Sequence, residues 1–171
     1  AAVPGKNGRI AFVRSAGAGP LEEVFMASPN AAPGPAVNLT NAPLTSDTAP
    51  SWSPDGRQLV FVSDRSGSPQ LYIMDVASGK SRRLTYNGSY NTSPDWSPAG
   101  DRIAYISRVA GRFSIFSIGV DGGEPTRLTA NAFDNEDPAW SPDGSVIVAL
   151  ERDGLLRLMG VRAACINLQL L

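Results

Sequence analysis

A five-residue phrase that recurs at a fixed interval constrains this chain more than any other feature. Trp52-Ser53-Pro54-Asp55-Gly56, Trp96-Ser97-Pro98-Ala99-Gly100 and Trp140-Ser141-Pro142-Asp143-Gly144 stand 44 residues apart and take up all three tryptophans of the chain. Leu84-Thr85 and Leu128-Thr129 keep the same interval, as do Leu59, Ile103 and Ile147. A looser copy lies upstream, where Ile10-Ala11-Phe12-Val13 matches Leu59-Val60-Phe61-Val62 and Asn38-Leu39-Thr40 closes the unit. A fixed period of this size signals stacked structural repeats, because one such unit cannot bury its apolar surface alone.

The segments inside each repeat have strand chemistry. Gln58 to Ser63, Arg102 to Ser107 and Ser145 to Leu150 are rich in β-branched and aromatic residues and are bounded by turn clusters. Gln70 to Val76 and Ser114 to Val120 end at Ser78-Gly79 and Asp121-Gly122-Gly123, and short Arg-Leu-Thr segments follow. Four short strands per repeat without helical periodicity predict a propeller blade. In the phrase itself, Pro presets φ for a β-turn, Asp bonds locally, Gly takes a positive φ, and Trp is expected to fill the space between blades. The expected fold is all-β, about four blades of four antiparallel strands, as a ring or as a partial or open propeller. It forms one domain with repeats near 8–47, 48–91, 92–136 and 137–171. The first repeat has no copy of the strand that runs into the Trp phrase, and the last has a poor second half without a Leu-Thr ending.

Ser51 to Arg65, then Leu71-Tyr72-Ile73-Met74-Asp75, then Arg83-Leu84-Thr85, resemble the propeller repeat of TolB and its relatives, a PD40 or WD40-like repeat. The resemblance covers roughly residues 8–151. It implies that the strand entering the Trp phrase is innermost and the Arg-Leu-Thr strand outermost. It also implies a binding scaffold at the bacterial cell envelope with a protein partner. TolB-like proteins are expected to carry about six blades and a further N-terminal domain, which exceeds this length. Similar repeats occur in the propellers that gate prolyl oligopeptidase-type serine peptidases, so a substrate-gating propeller is the alternative. A carbohydrate-binding propeller is a third reading, supported by Tyr90 and Phe133 if they are exposed; Tyr86 is expected to be packing.

Composition limits the chemistry. The chain has no histidine, which removes the usual general base and zinc ligand. Its single cysteine, Cys165, cannot form an intramolecular disulfide. No nucleophile elbow, Walker loop or dinucleotide fingerprint is present, so neither an enzyme nor a cofactor is expected. Fifteen Lys and Arg are scattered against sixteen Asp and Glu, which offers no footprint for nucleic acid. No apolar run approaches the roughly 20 residues of a membrane helix. The small residues Ala1-Ala2-Val3-Pro4-Gly5 look like the start of a processed, exported protein, although a trimmed chain begins the same way. Periplasmic or extracellular localisation is the expectation.

Loops carried by a rigid scaffold are where binding residues concentrate. The loops leading into the inner strands align as Ser46-Asp47-Thr48, Tyr90-Asn91-Thr92 and Asp134-Asn135-Glu136. The expected ligand-binding residues are therefore Asp47, Thr48, Tyr90, Asn91, Asp134, Asn135 and Glu136, against the plainer reading that these are soluble loop residues. Asp134, Glu136 and Asp137 offer oxygen ligands but match no established calcium loop, so no metal site is expected. Asp64-Arg65 and Glu151-Arg152 read as solvated hairpin charges. The unpaired blade edges would also allow self-association.

Overall fold

The computed structural model describes residues 8–15, 19–28, 35–152, 156–162 and 168–170. Sheet 1 comprises β1 (Ile10–Ser15), β2 (Glu22–Ala27) and β3 (Val37–Asn38). Sheet 2 comprises β4 (Asp47–Trp52), β5 (Gln58–Ser63), β6 (Gln70–Asp75) and β7 (Ser81–Arg83). Sheet 3 comprises β8 (Asn91–Trp96), β9 (Arg102–Val109), β10 (Arg112–Gly119) and β11 (Gly122–Arg127). Sheet 4 comprises β12 (Asp134–Trp140), β13 (Val146–Arg152), β14 (Leu156–Arg162) and β15 (Leu168–Leu170). Each sheet is an antiparallel meander in chain order, and consecutive sheets pack face to face in an open, propeller-like array. Sheet 1 has three strands, and the inner edge of β1 has no partner strand among the described residues. The last repeat carries four strands although it lacks a Leu-Thr ending: β14 pairs with β13 from Leu156 to Arg162, and β15 pairs with β14. Cys165 lies outside the described residues. No described helix is long and apolar enough to cross a membrane.

Period-two alternation assigns side chains to the seams between sheets. Leu59 and Phe61 of β5 pack toward sheet 1 with Val24, Tyr72 and Met74. Val60 and Val62 of the same strand pack toward sheet 3 with Leu71, Ile73, Ile103 and Tyr105. Ala104 and Ile106 of β9 then turn to sheet 4, meeting Ile115, Leu128 and Ile147. Both faces of β5 and β9 are therefore buried, and each fully buried Leu, Ile or Phe contributes about 1.5–3 kcal/mol. Each Trp faces the sheet before it: Trp52 in the first seam, Trp96 in the second and Trp140 in the third.

The Trp phrase closes the same way three times. The backbone N–H of Gly56, Gly100 and Gly144 donates to the carbonyl of Ser53, Ser97 and Ser141 at 2.9, 3.0 and 2.9 Å, with the glycines at φ 68°, 79° and 71°. The serine hydroxyls accept from the N–H of Gln58, Arg102 and Val146 at 2.9, 3.1 and 3.0 Å. Ser53 and Ser141 donate to Asp55 and Asp143, each at 2.6 Å. In the second copy Ala99 cannot accept, and Asp101 takes the bond from Ser97 at 2.9 Å.

The Leu-Thr endings are fasteners. The hydroxyls of Thr40, Thr85 and Thr129 accept from the N–H of Val24, Leu71 and Ile115 at 3.1, 2.9 and 2.9 Å, binding the outer connection back to the third strand of the blade. Arg83 and Arg127 stiffen two of them by donating Nε to the carbonyls of Thr85 and Thr129 at 2.6 and 2.7 Å.

Candidate functional site

The strand directions give the array two rims. The Trp phrases lie on one, the turn rim. The loops into the inner strands lie on the other, the loop rim, with the β5–β6 and β9–β10 hairpins. The inner strands β4, β8 and β12 are each interrupted at one point. Register shifts fall between Thr48 and Ser51, Thr92 and Asp95, and Glu136 and Ala139. At each shift a residue before proline has a positive φ: Ala49 at 47°, Ser93 at 50° and Asp137 at 49°. Proline has no N–H for the ladder, so a bulge is where a sheet accommodates it.

The sequence-predicted residues divide into buried and accessible groups. Asp47, Asn91 and Asn135 sit at equivalent positions with 0%, 0% and 1% of their surface exposed. Asp47 accepts Arg65 Nη2 at 2.9 Å, and the Arg65 guanidinium lies over the rings of Phe61 and Tyr72. Asn91 Nδ2 donates to Gln70 Oε1 at 2.8 Å and to the Asn87 carbonyl at 2.9 Å. Asn135 Nδ2 donates to Asn131 Oδ1 at 2.8 Å and to the Phe133 carbonyl at 2.9 Å. These three side chains face into the blades and hold the entry loops in place. Oδ1 of Asp47 and Oδ1 of Asn91 are buried without a hydrogen-bond partner among the described residues.

The remaining predicted residues reach the surface. Thr48 is half-buried, and Tyr90 is 39% exposed with its ring 5.7 Å from that of Phe113. Asp134 Oδ1 accepts the N–H of Phe113 at 2.8 Å, and Glu136 accepts Arg152 Nη2 at 2.9 Å. Asp134 and Glu136 thus bind different protein groups, and no group of three acidic or cysteine side chains suited to a metal occurs among the described residues.

Three readings need correction. Tyr86 is not packing: it is 72% exposed, with the Arg83 guanidinium 4.8 Å from its ring centre. Arg65 pairs with Asp47, leaving Asp64 to accept the N–H of Ser46 at 2.9 Å. Glu151 is buried, bonded to Asn131, and not a solvated hairpin charge. For Arg65, Asp64 and Glu151 the partner comes from a different loop, which adjacency in sequence does not reveal.

Sequence reasoning missed the tip of the β9–β10 hairpin. Arg108, Val109 and Arg112 are exposed there, and the Ala110-Gly111 dipeptide was the available signal for a tight turn. Two concavities lie outside the predicted residues. One, of about 510 Å³, is bounded by Arg9, Trp52, Pro54, Asp55, Trp96 and Pro98 at the turn rim. The other, of about 460 Å³, lies beside the outer strands between Arg83, Asn87, Ile118 and Glu124. Their walls include the fold-forming Trp phrase and the Arg-Leu-Thr fastener, so their residues are already engaged in holding the blades.

The TolB beta propeller domain (PD40) model matches residues 9–169. Over 73 residues, 42% of this chain, it is 37% identical to the Tol-Pal system protein TolB of Xanthomonas campestris pv. campestris, covering 16% of that protein. Over 39 residues, 22% of this chain, it is 59% identical to a Bacillus subtilis protein named as the uncharacterized peptidase YuxL, covering 6% of it. The chain thus spans less than a fifth of the length of these two relatives. The crystal structure of TolB from Acinetobacter baumannii superposes on 99% of this chain and 43% of its own, with a TM-score of 0.81 at 21% identity. With the three-fold Trp phrase, the meander blades and a family match over nearly the whole length, this chain belongs to the TolB β-propeller family.

Proposed function

We propose that this chain is a non-catalytic binding scaffold of the bacterial cell envelope or exterior, which recognises a protein or peptide on its loop rim. The observation that carries the reading is an asymmetry of exposure. Sheet 1 and its connections expose Ile10, Leu21 and Val37; within residues 39–152 the exposed large apolar side chains are Leu44, Tyr86, Tyr90, Val109 and Phe133. All five lie on the loop rim. Single exposed apolar residues are ordinary, but a one-sided concentration with aromatic members marks an interaction face. Membership of the TolB family and the resemblance to a Tol-Pal system protein support the envelope setting.

Site-specific photo-crosslinking in producing cells tests this. A benzoylphenylalanine at Val109 is expected to capture a protein partner, and one at Arg57 on the turn rim is not. Equal capture at both positions, or capture at Arg57 alone, would reject the loop rim as the binding face. The short, highly identical match to peptidase YuxL carries a second reading, a propeller that gates a serine peptidase. Covalent labelling of the native full-length protein by a fluorophosphonate would establish that reading in place of the first.

A further inference from the structure

We infer that the β9–β10 hairpin and the aromatic residues at its foot form a docking surface for an acidic peptide segment carrying an aromatic or large apolar side chain. This rests on the scaffold reading and names the partner's chemistry. β9 and β10 each run eight residues, against six for β5 and β6. Their turn is the two-residue Ala110-Gly111, with φ of 50° and 84°, the geometry that keeps a tight hairpin twisted correctly. The extra length lifts Arg108, Val109 and Arg112 above the rim. The corresponding β5–β6 connection is a looser loop whose Arg65 is turned inward to Asp47.

The foot of the hairpin is aromatic and held in place. Tyr90 packs on Phe113, and the carbonyl of Tyr90 accepts the N–H of Arg108 at 3.1 Å. The Asn135 side-chain amide donates to the carbonyls of both Phe113 and Phe133, at 3.4 and 2.9 Å, which places Phe133 beside the pair. Tyr90 and Phe133 are each 39% exposed and Val109 is 37% exposed. Rigid aromatic rings and arginines are the residues that carry most binding energy at protein interfaces, and their ordering cost here is already met by the hairpin.

The charge determines the partner's sign. Among the described residues, the guanidinium groups of Arg108 and Arg112 have no ion pair, whereas Arg65 and Arg152 are satisfied by Asp47 and Glu136. Two carboxylates are tied to this patch, Asp134 through the N–H of Phe113 and Glu151 through Asn131 and Asn135. Glu151 is buried whereas both guanidinium groups are exposed at the hairpin tip, so the surface offered to a partner is positive beside apolar rings. A carboxylate of the partner can take the fork of an arginine while its neighbouring ring packs on Tyr90 and Phe133.

Fluorescence anisotropy with labelled peptides tests the surface on the full chain. The probe is a Glu-, Ser- and Gly-containing peptide with one central Trp, compared with versions carrying Lys for Glu or Ala for Trp. The acidic Trp peptide is expected to bind at low salt, with each comparison peptide about tenfold weaker or more. Arg108→Glu with Arg112→Glu, and separately Tyr90→Ala, should each cost the probe about tenfold, while Arg57→Glu with Lys80→Glu leaves it within about twofold. All these side chains are exposed, and circular dichroism with thermal melting confirms that each variant is folded. Equal binding of acidic and basic peptides, no measurable binding of either, or indifference to the double charge reversal would overturn the inference. If Val109 still crosslinks a partner in the charge-reversed variant, the scaffold reading stands and only the acidic-peptide assignment falls.

Discussion

The two rims of the array use the same repeat in opposite ways. On the turn rim, three copies of the Trp phrase close with the same serine and glycine bonds, and even the substitution of Ala99 is compensated by Asp101. On the loop rim, the equivalent positions Asp47, Asn91 and Asn135 are all buried, yet one uses a distant arginine, one a glutamine and one a second asparagine. A rim whose bonds are repeated is fixed by the needs of the fold. A rim whose bonds differ blade by blade has only to keep its loops in place, and its exposed residues are free to serve a partner.

Substitutions on each rim can break or sharpen this contrast. The largest effect is expected where the turn rim meets a seam. Trp96→Ala should destabilise by about 3–5 kcal/mol in urea unfolding, through lost burial and a cavity between sheets 2 and 3. A loss under about 1 kcal/mol would mean that the phrase is only a turn. Asn91→Asp comes next, at about 1–3 kcal/mol near neutral pH, because a carboxylate there would face the Gln70 oxygen and the Asn87 carbonyl, both acceptors. Such a carboxyl has its folded pKa raised above the unfolded value of about 3.9, so the penalty is full above the folded pKa and vanishes below the unfolded one. Stability measured against pH should therefore recover on acidification, and a flat difference from the parent would refute the acceptor arrangement.

A smaller effect belongs to Asp143. The Ser141 hydroxyl and then the Ser145 N–H hold its carboxyl down from 3.8 to about 2. A depressed folded pKa means stability that is present above 3.8 and lost as pH falls through about 2. Asp143→Asn should flatten that acid limb, and an unchanged limb would show that these bonds contribute nothing in solution. The smallest expected effect is at the hairpin tip. Arg108→Glu with Arg112→Glu should leave unfolding within about 0.5 kcal/mol of the parent, as exposed residues outside the core do. A larger loss would make the hairpin part of the scaffold instead of its cargo surface.

The blade architecture was legible because its signals are local. Trp, Pro and Gly act through their own geometry, so Trp52 to Gly56 announces its turn wherever it occurs, and alternation in Leu59 to Val62 announces a strand buried on both faces. Positions set by another strand or loop were not legible. Nothing in Ser46-Asp47-Thr48 shows that Asp47 turns inward to Arg65, a residue 18 positions away. The positive φ of Ala49 and Ser93 runs against the ordinary preference of L-residues and of residues before proline, and it is the sheet that imposes it. The candidate patch was half visible: Tyr90 and Phe133 stood out as aromatics, whereas Arg108 and Arg112 became notable only once the hairpin length was known.

The seams between blades also carry a direction. Along the inner strands, the residue before each Trp reaches the following blade: Ser51 Oγ accepts the N–H of Trp96 at 3.2 Å, and Asp95 Oδ2 accepts that of Trp140 at 2.7 Å. The Trp140 indole adds a bond to the Asp95 carbonyl at 3.2 Å, whereas the Trp96 indole nitrogen is buried without a partner among the described residues. At the inner strands, the Trp96 amide is thus held by a hydroxyl oxygen and the Trp140 amide by a carboxylate, with the indole adding a second bond. A charged acceptor makes the stronger hydrogen bond, so two amides at equivalent places in the repeat are held with unequal strength. The Trp96 amide should therefore exchange its hydrogen with solvent before that of Trp140.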